Sequence, residues 1–177
     1  NKVKEGDLDM AILALPYDLE HLISFKFWEE DFFWVSHRLN KNAGKAEIKA
    51  SELEQSELML LEDGHCLKDH ILDACNISSS TQYTLKASSL NTLIQLVKGE
   101  MGTTLVPKMA LRELIGNKDK LSISHLNEPG PHREIVLITR PNFAGMESIE
   151  ILINFFSRSL KEFDNISQEK LFRLEIL

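Results

Sequence analysis

Cysteine is scarce in this chain, with two in 177 residues. That count excludes a disulfide scaffold and points to a reducing cytoplasm, where a lasting bridge is disfavoured and a transient one is open. Basic charge is short as well. Lys and Arg number 20 against 27 Asp and Glu, a formal net charge of -7 with an isoelectric point near 5.4. No basic cluster offsets it, so the surface repels phosphate backbones and this stretch by itself is a poor nucleic-acid binder. No apolar run approaches the roughly 20 residues of a membrane span, and no signal peptide opens the chain. It begins at Asn1, in mid-pattern and without Met, which reads as a fragment. There is no internal repeat and no low-complexity tract. No His, Cys and carboxylate spacing fits a zinc site, so neither a metal nor another cofactor is expected.

What is present is globular: 43% hydrophobic and 27% charged residues, enough for one domain or two small lobes. The apolar run 8–15, stopped by Pro16, fits a strand buried on both faces. Strands follow at 22–28 and 31–37, with an acidic turn at Glu29 and Glu30 between them. Residues 50–56 read as a short polar helix, 57–63 as a buried strand, 66–75 as a helix and 81–87 as a strand. Residues 88–102 form a helix with Ser88 or Ser89 as its cap and Leu90, Leu93, Ile94 and Val97 inward. Strands at 103–107, 121–126 and 133–140 alternate with a short helix at 108–114 and end in a long amphipathic helix from 146. This alternation predicts an α/β fold. The early strand pair and the rigid turn at Pro129, Gly130 and Pro131 predict two crossings of the chain. Residues 29–133 then form one lobe and 1–28 with 134–177 the other, the plan of a hinged binding protein.

The stretch LMLLEDGHCLKDHILDAC, residues 58–75, holds both cysteines, nine residues apart. Leu67, Ile71, Leu72 and Cys75 share one helical stripe, so by spacing alone Cys75 reads as an ordinary buried thiol. Cys66 lies outside the stripe, after Gly64 and His65. His65 and His70 read as solvated, Glu29, Glu30 and Asp31 as a solvated turn, and Phe32, Phe33 and Trp34 as core.

Three segments carry a resemblance. They are LLEDGHCLKDHILDAC, LKASSLNTLIQLVKGEMGTTLVP and REIVLITRP. Together they resemble the regulatory domain of the LysR-type transcription regulators, and within that family its peroxide-sensing branch. Val97, Gly99, Leu105 and Pro107 fall close to a pattern common to the whole family, although the run from Gly99 to Gly102 is one residue longer than a bare G-x-G. The sequence Glu62-Asp-Gly-His-Cys-Leu-x-Asp, with a Cys nine residues on, is more specific and marks the sensor. The resemblance covers nearly the whole chain and is weakest over 1–20 and after 163.

It implies a two-lobed effector domain of the periplasmic-binding-protein type, each lobe a mostly parallel sheet flanked by helices. The family's winged helix-turn-helix and linker helix are not in this sequence. Its DNA contacts therefore transfer to no residue here, nor do the threonines that line the peroxide site from that missing part, and the first lobe is expected to be incomplete.

The resemblance also assigns roles. Cys66 is the peroxidatic cysteine and Cys75 the resolving one, with His65, Asp69, Arg133 and Ser89 as supports of the peroxide site. The helix dipole, Lys68 and a protonated His65 would favour a thiolate at Cys66. Hydrogen peroxide converts that thiolate to a sulfenic acid, on which Cys75 closes a disulfide. Nine helical residues rise by roughly 13.5 Å, while a disulfide needs Cα atoms roughly 4.4 to 6.8 Å apart. The implied bond therefore forces the helix to refold, which suits a switch and not a staple. Implied partners are hydrogen peroxide, glutaredoxin or glutathione as reductant, and copies of the chain in a homodimer or tetramer. Leu96, off the main stripe of its helix, gives the assembly weak support. DNA and RNA polymerase are partners of the full-length protein only, and no membrane or enzymatic activity is implied. A thiol peroxidase would carry a C-x-x-C or Thr-x-x-Cys site, and neither occurs. A LysR-type domain that binds a small metabolite between its lobes, with incidental cysteines, is the alternative.

Overall fold

The computed structural model describes residues 2–63, 66–78, 85–116 and 120–174, the last ten as helical backbone. In chain order its elements are α1 (Lys2–Glu5), β1 (Met10–Leu15), β2 (Ile23–Glu30), β3 (Phe32–His37), β4 (Glu47–Ile48), β5 (Leu60–Leu61), α2 (Cys66–Ala74), β6 (Lys86–Ala87), α3 (Leu90–Lys98), β7 (Thr104–Pro107), α4 (Lys108–Leu114), β8 (Leu121–Leu126), β9 (Arg133–Thr139) and α5 (Met146–Leu174). Two short 3-10 turns, Ala50–Glu52 and Gln55–Glu57, stand where the polar helix was expected. The chain divides into two compact units, Asn1–Glu29 with Arg133–Leu177, and Glu30–His132.

In the first unit β1, β9 and β2 form a three-stranded sheet in that order, with β1 antiparallel to β9 from Met10 opposite Thr139 to Leu15 opposite Glu134. Val3, Val136 and Ile138 make its buried core, and Ala11, Leu13 and Leu15 pack on it from one face of β1. Ile12, on the other face, is 49% exposed. The expectation of a strand buried on both faces is thus corrected: among the described residues β1 is an edge strand. Arg140 donates from Nη1 to the carbonyls of Val3 (2.9 Å) and Leu8 (2.7 Å), closing the N-terminal turn onto the sheet. On α5, Ile149 is fully buried, Phe156 packs on Phe27 with centroids 5.7 Å apart, and the Ser157 hydroxyl donates to the Phe27 carbonyl.

In the second unit the main sheet runs β4-β8-β3-β7. β3 is antiparallel to β7 and to β8, whereas β4 pairs parallel with β8, and β5 parallel with β6. The α/β class stands, but pairing is mixed and not mostly parallel. An apolar run reports burial on both faces and carries no information on strand direction. Here β3 leads away from the first crossing and β8 back toward the second, so the two run in opposite senses.

The core gathers Phe32, Trp34, Val35, Ile48, Leu58, Leu60, Ile71, Leu93, Ile94, Val97 and Leu105. Ser89 caps α3, its hydroxyl accepting the Thr92 N–H at 3.2 Å. Gly102 (φ +156°) passes so close to the preceding segment that a Cβ would lie 2.4 Å from the Glu57 carbonyl oxygen. That approach lets Met59 N–H donate to the Thr103 carbonyl, and Thr103 N–H to that of Glu57, each at 2.8 Å. The acidic turn is also corrected. β2 continues through Glu30, which is 5% exposed and accepts the Met109 N–H at 3.0 Å in the first turn of α4. A free amide at a helix start compensates the burial of a carboxylate.

Candidate functional site

The site is built on α2 and its two ends. The helix begins at Cys66 and buries Leu67, Lys68, His70, Ile71 and Leu72. Burial of both Lys68 and His70 shows that the helix is covered on more than its aliphatic stripe. His70 is fully buried, which corrects its reading as a solvated histidine. Cys66 is exposed and Cys75 buried, and both are free thiols.

The C-terminus of α2 explains where Cys75 lies. Asn76 adopts the left-handed conformation (φ 52°). Its N–H donates to the Asp73 carbonyl at 3.0 Å, and the Ile77 N–H to the Leu72 carbonyl at 2.9 Å. This pair of bonds is a Schellman motif, with Cys75 as the C-cap and Asn76 supplying the left-handed residue that Gly more often provides. The Cys75 N–H still donates to Ile71, so the thiol hangs from the last helical bond and turns inward. Burial, and then the Glu128 carboxylate, push this thiol up to about 12. Glu128 is held by the Ala50 N–H, which donates to its Oε1 at 2.7 Å. In the folded chain Cys75 is therefore a neutral thiol at neutral pH. Because α2 is wound over its full length, the helical rise holds the two cysteines roughly 13.5 Å apart.

Before the N-terminus of α2, Asp63 takes two cations. Lys68 Nζ, on the helix, hydrogen-bonds to its Oδ1, and Lys86 Nζ, on β6, reaches Oδ2 at 2.8 Å. The two ammonium groups hold the Asp63 carboxyl at about 2, well below the usual carboxylate range. Lys68 was expected to act on Cys66, yet its ammonium is engaged by Asp63. No sequence signal announces this: Asp63 and Lys68 are not at helical i,i+4 spacing, and Lys86 lies on another element.

Asp69 is an exposed residue of the first turn of α2. Ser89 caps α3. Arg133 opens β9 in the first unit. His65 lies outside the described residues. Among the described residues no three His, Cys, Asp or Glu side chains converge for a metal ion, and no helix is long and apolar enough to cross a membrane.

Residues 1–161 match the family model described as the LysR substrate binding domain. The HTH-type transcriptional regulator EstR of Acinetobacter baylyi is 35% identical over 159 residues, 89% of this chain and 52% of its own length. A probable hydrogen peroxide-inducible genes activator of Streptomyces viridosporus is 31% identical over the same number of residues, 51% of its length. The chain thus spans about half of the curated relatives it matches. Among solved structures, a hydrogen-peroxide-bound cysteine-to-serine mutant of Corynebacterium glutamicum OxyR superposes with a TM-score of 0.85 at 31% identity, covering 96% of this chain and 54% of that one.

Proposed function

The chain belongs to the LysR substrate-binding domain family, and on that premise we propose that it is the redox-sensing regulatory domain of a peroxide-responsive transcription regulator. The observation that carries this reading is the asymmetry of the two thiols, one exposed at the head of α2 and one buried and neutral at its cap. Peroxide reaches Cys66 first. The Cys66 sulfur attacks one peroxide oxygen, the O–O bond breaks, and hydroxide leaves to take a proton as water. Cys75 then attacks the sulfenic sulfur, its thiol proton and the sulfenic hydroxyl departing as a second water. Two thiols give up two electrons, and one peroxide becomes two waters. His65, Asp69, Arg133 and Ser89 are proposed supports of the peroxide. A dithiol of the glutaredoxin class, or glutathione, reverses the bond.

The two compact units, 1–29 with 133–177 and 30–132, are read as the two regulatory lobes, each boundary one residue from the sequence expectation of 1–28 with 134–177 and 29–133. In the full-length regulator, working as a dimer or tetramer, the refolding of α2 alters DNA binding and activation of antioxidant genes by RNA polymerase. EstR, whose name carries no peroxide, keeps a second reading in view: a metabolite-binding effector domain indifferent to its cysteines.

Intact mass and thiol titration before and after one equivalent of peroxide decide between them. Loss of two hydrogens with a linked Cys66–Cys75 peptide is expected, together with a dimedone-trapped sulfenic acid at Cys66 in Cys75→Ser. Unreacted thiols would favour the metabolite reading. A stable sulfinic acid at Cys66 beside a free Cys75 would end the resolving role.

A further inference from the structure

Asp63 is exposed, with 71% of its side chain open, yet it sits between two cations of very different burial: the Lys68 side chain is 11% exposed and that of Lys86 42%. A surface ion pair ordinarily contributes little. A nearly buried ammonium without its counter-charge is another matter, because its desolvation is then uncompensated. Lys68 belongs to the helix that must unwind for the cysteines to meet, and Lys86 to a strand that pairs with β5, just before Asp63. One carboxylate therefore ties the head of α2 to the two-stranded ladder beside it. The tie has no pH gate near neutrality, since Asp63 stays ionised well below that range.

We propose that Asp63 is a positioning residue that latches the reduced form, clasping Lys68 and Lys86 so that α2 stays wound and Cys66 and Cys75 stay apart. The inference rests on the redox reading of the two cysteines. When α2 unwinds, Lys68 leaves its nearly buried setting for water, and the latch stabilises the disulfide form no longer. Its strength then sets how much oxidant is needed to close the bond.

The test equilibrates the full chain with mixtures of reduced and oxidised glutathione. In that exchange dithiol protein plus one glutathione disulfide gives disulfide protein plus two glutathione thiols, and differential alkylation with mass spectrometry reads the ratio. Asp63→Asn should raise the disulfide-to-dithiol ratio at fixed glutathione by about tenfold, the worth of a hydrogen bond to a charged group. It should lower the melting temperature of the reduced form and not that of the disulfide form. Should Asp63→Asn fold poorly, Asp63→Asn with Lys68→Met keeps the test open, because removing the stranded ammonium should bring the ratio back toward wild type. Lys86→Gln should move the ratio less than Asp63→Asn. A ratio within about twofold of wild type in Asp63→Asn, the scatter expected of independent sites, would overturn the latch while leaving the redox reading intact. So would an equal loss of melting temperature in both redox forms. A wild-type chain that forms no intramolecular disulfide at any glutathione ratio would overturn the redox reading, and the latch with it.

Discussion

Closing the Cys66–Cys75 bond should unfasten α2 locally, and the size of the effect follows from what the helix buries. Leu67, Ile71 and Leu72 are 7%, 1% and 5% exposed. Each such side chain contributes roughly 1.5 to 3 kcal/mol when buried, so the three together are worth about 5 to 9 kcal/mol. That is comparable to the entire stability of a small domain, about 5 to 15 kcal/mol. The disulfide form must therefore repack most of this surface. If it forfeits about 3 kcal/mol locally, amide opening becomes about 100-fold more frequent. Hydrogen exchange of the reduced and peroxide-treated chain, followed peptide by peptide, reads this directly. Protection should collapse over 66–78, where the amides of Cys75, Asn76 and Ile77 lose Ile71, Asp73 and Leu72 as acceptors. It should persist over 135–138 in β9, whose residues lie in the other unit. A uniform change along the chain, or none over 66–78, would mean that the bond closes without refolding, and the switch would lose its physical basis.

Gly102→Ala should lower stability by about 2 to 4 kcal/mol in urea titration, because a Cβ at 2.4 Å from the Glu57 carbonyl must push two hydrogen-bonded segments apart; a midpoint equal to wild type would show that the approach relaxes freely. The Cys75 thiol gives a pH dependence of defined sign. Its folded value, about 12, lies above its ordinary 9.0. Its contribution is therefore complete below pH 9.0 and is lost as pH rises toward 12, at up to about 1.4 kcal/mol per pH unit. The stability of the reduced chain should fall with rising pH more steeply than that of Cys75→Ala over this window, and parallel curves would argue against a buried neutral thiol.

Local pattern made much of the fold legible. The stripe Leu93, Ile94 and Val97 behind the Ser89 cap located α3, and Pro107 marked where β7 gives way to α4. Pairing direction was not legible, because β1 and β9 would show the same apolar runs in either sense. Nor was the burial of Glu30, which depends on an amide of α4 far along the chain. At the site, the placement of Cys66 at a helix start and Cys75 on its inner stripe could be read from spacing. The Asp63 clasp and the Glu128 carboxylate that helps keep Cys75 neutral could not. Both join residues brought together by β5, β6 and the return from β8, and spacing along the chain says nothing of such neighbours.

β5 and β6 lie side by side in register, Leu60 opposite Lys86 and Leu61 opposite Ala87. The stretch between them carries both cysteines and comes back to the place it left. It is a closed cassette, and its interior can be rearranged without moving its two anchor points. Whatever it transmits must leave sideways, through the surfaces packed against it, and not by pulling on the chain beyond its ends. A cassette of this kind also has an adjustable length. Each doubling of a flexible loop costs only about 0.6 kcal/mol, so residues added within it shift the balance of its two states by small increments while the surrounding scaffold keeps its frame. On the proposed redox reading, the oxidant threshold is graded through the contour of this one excursion.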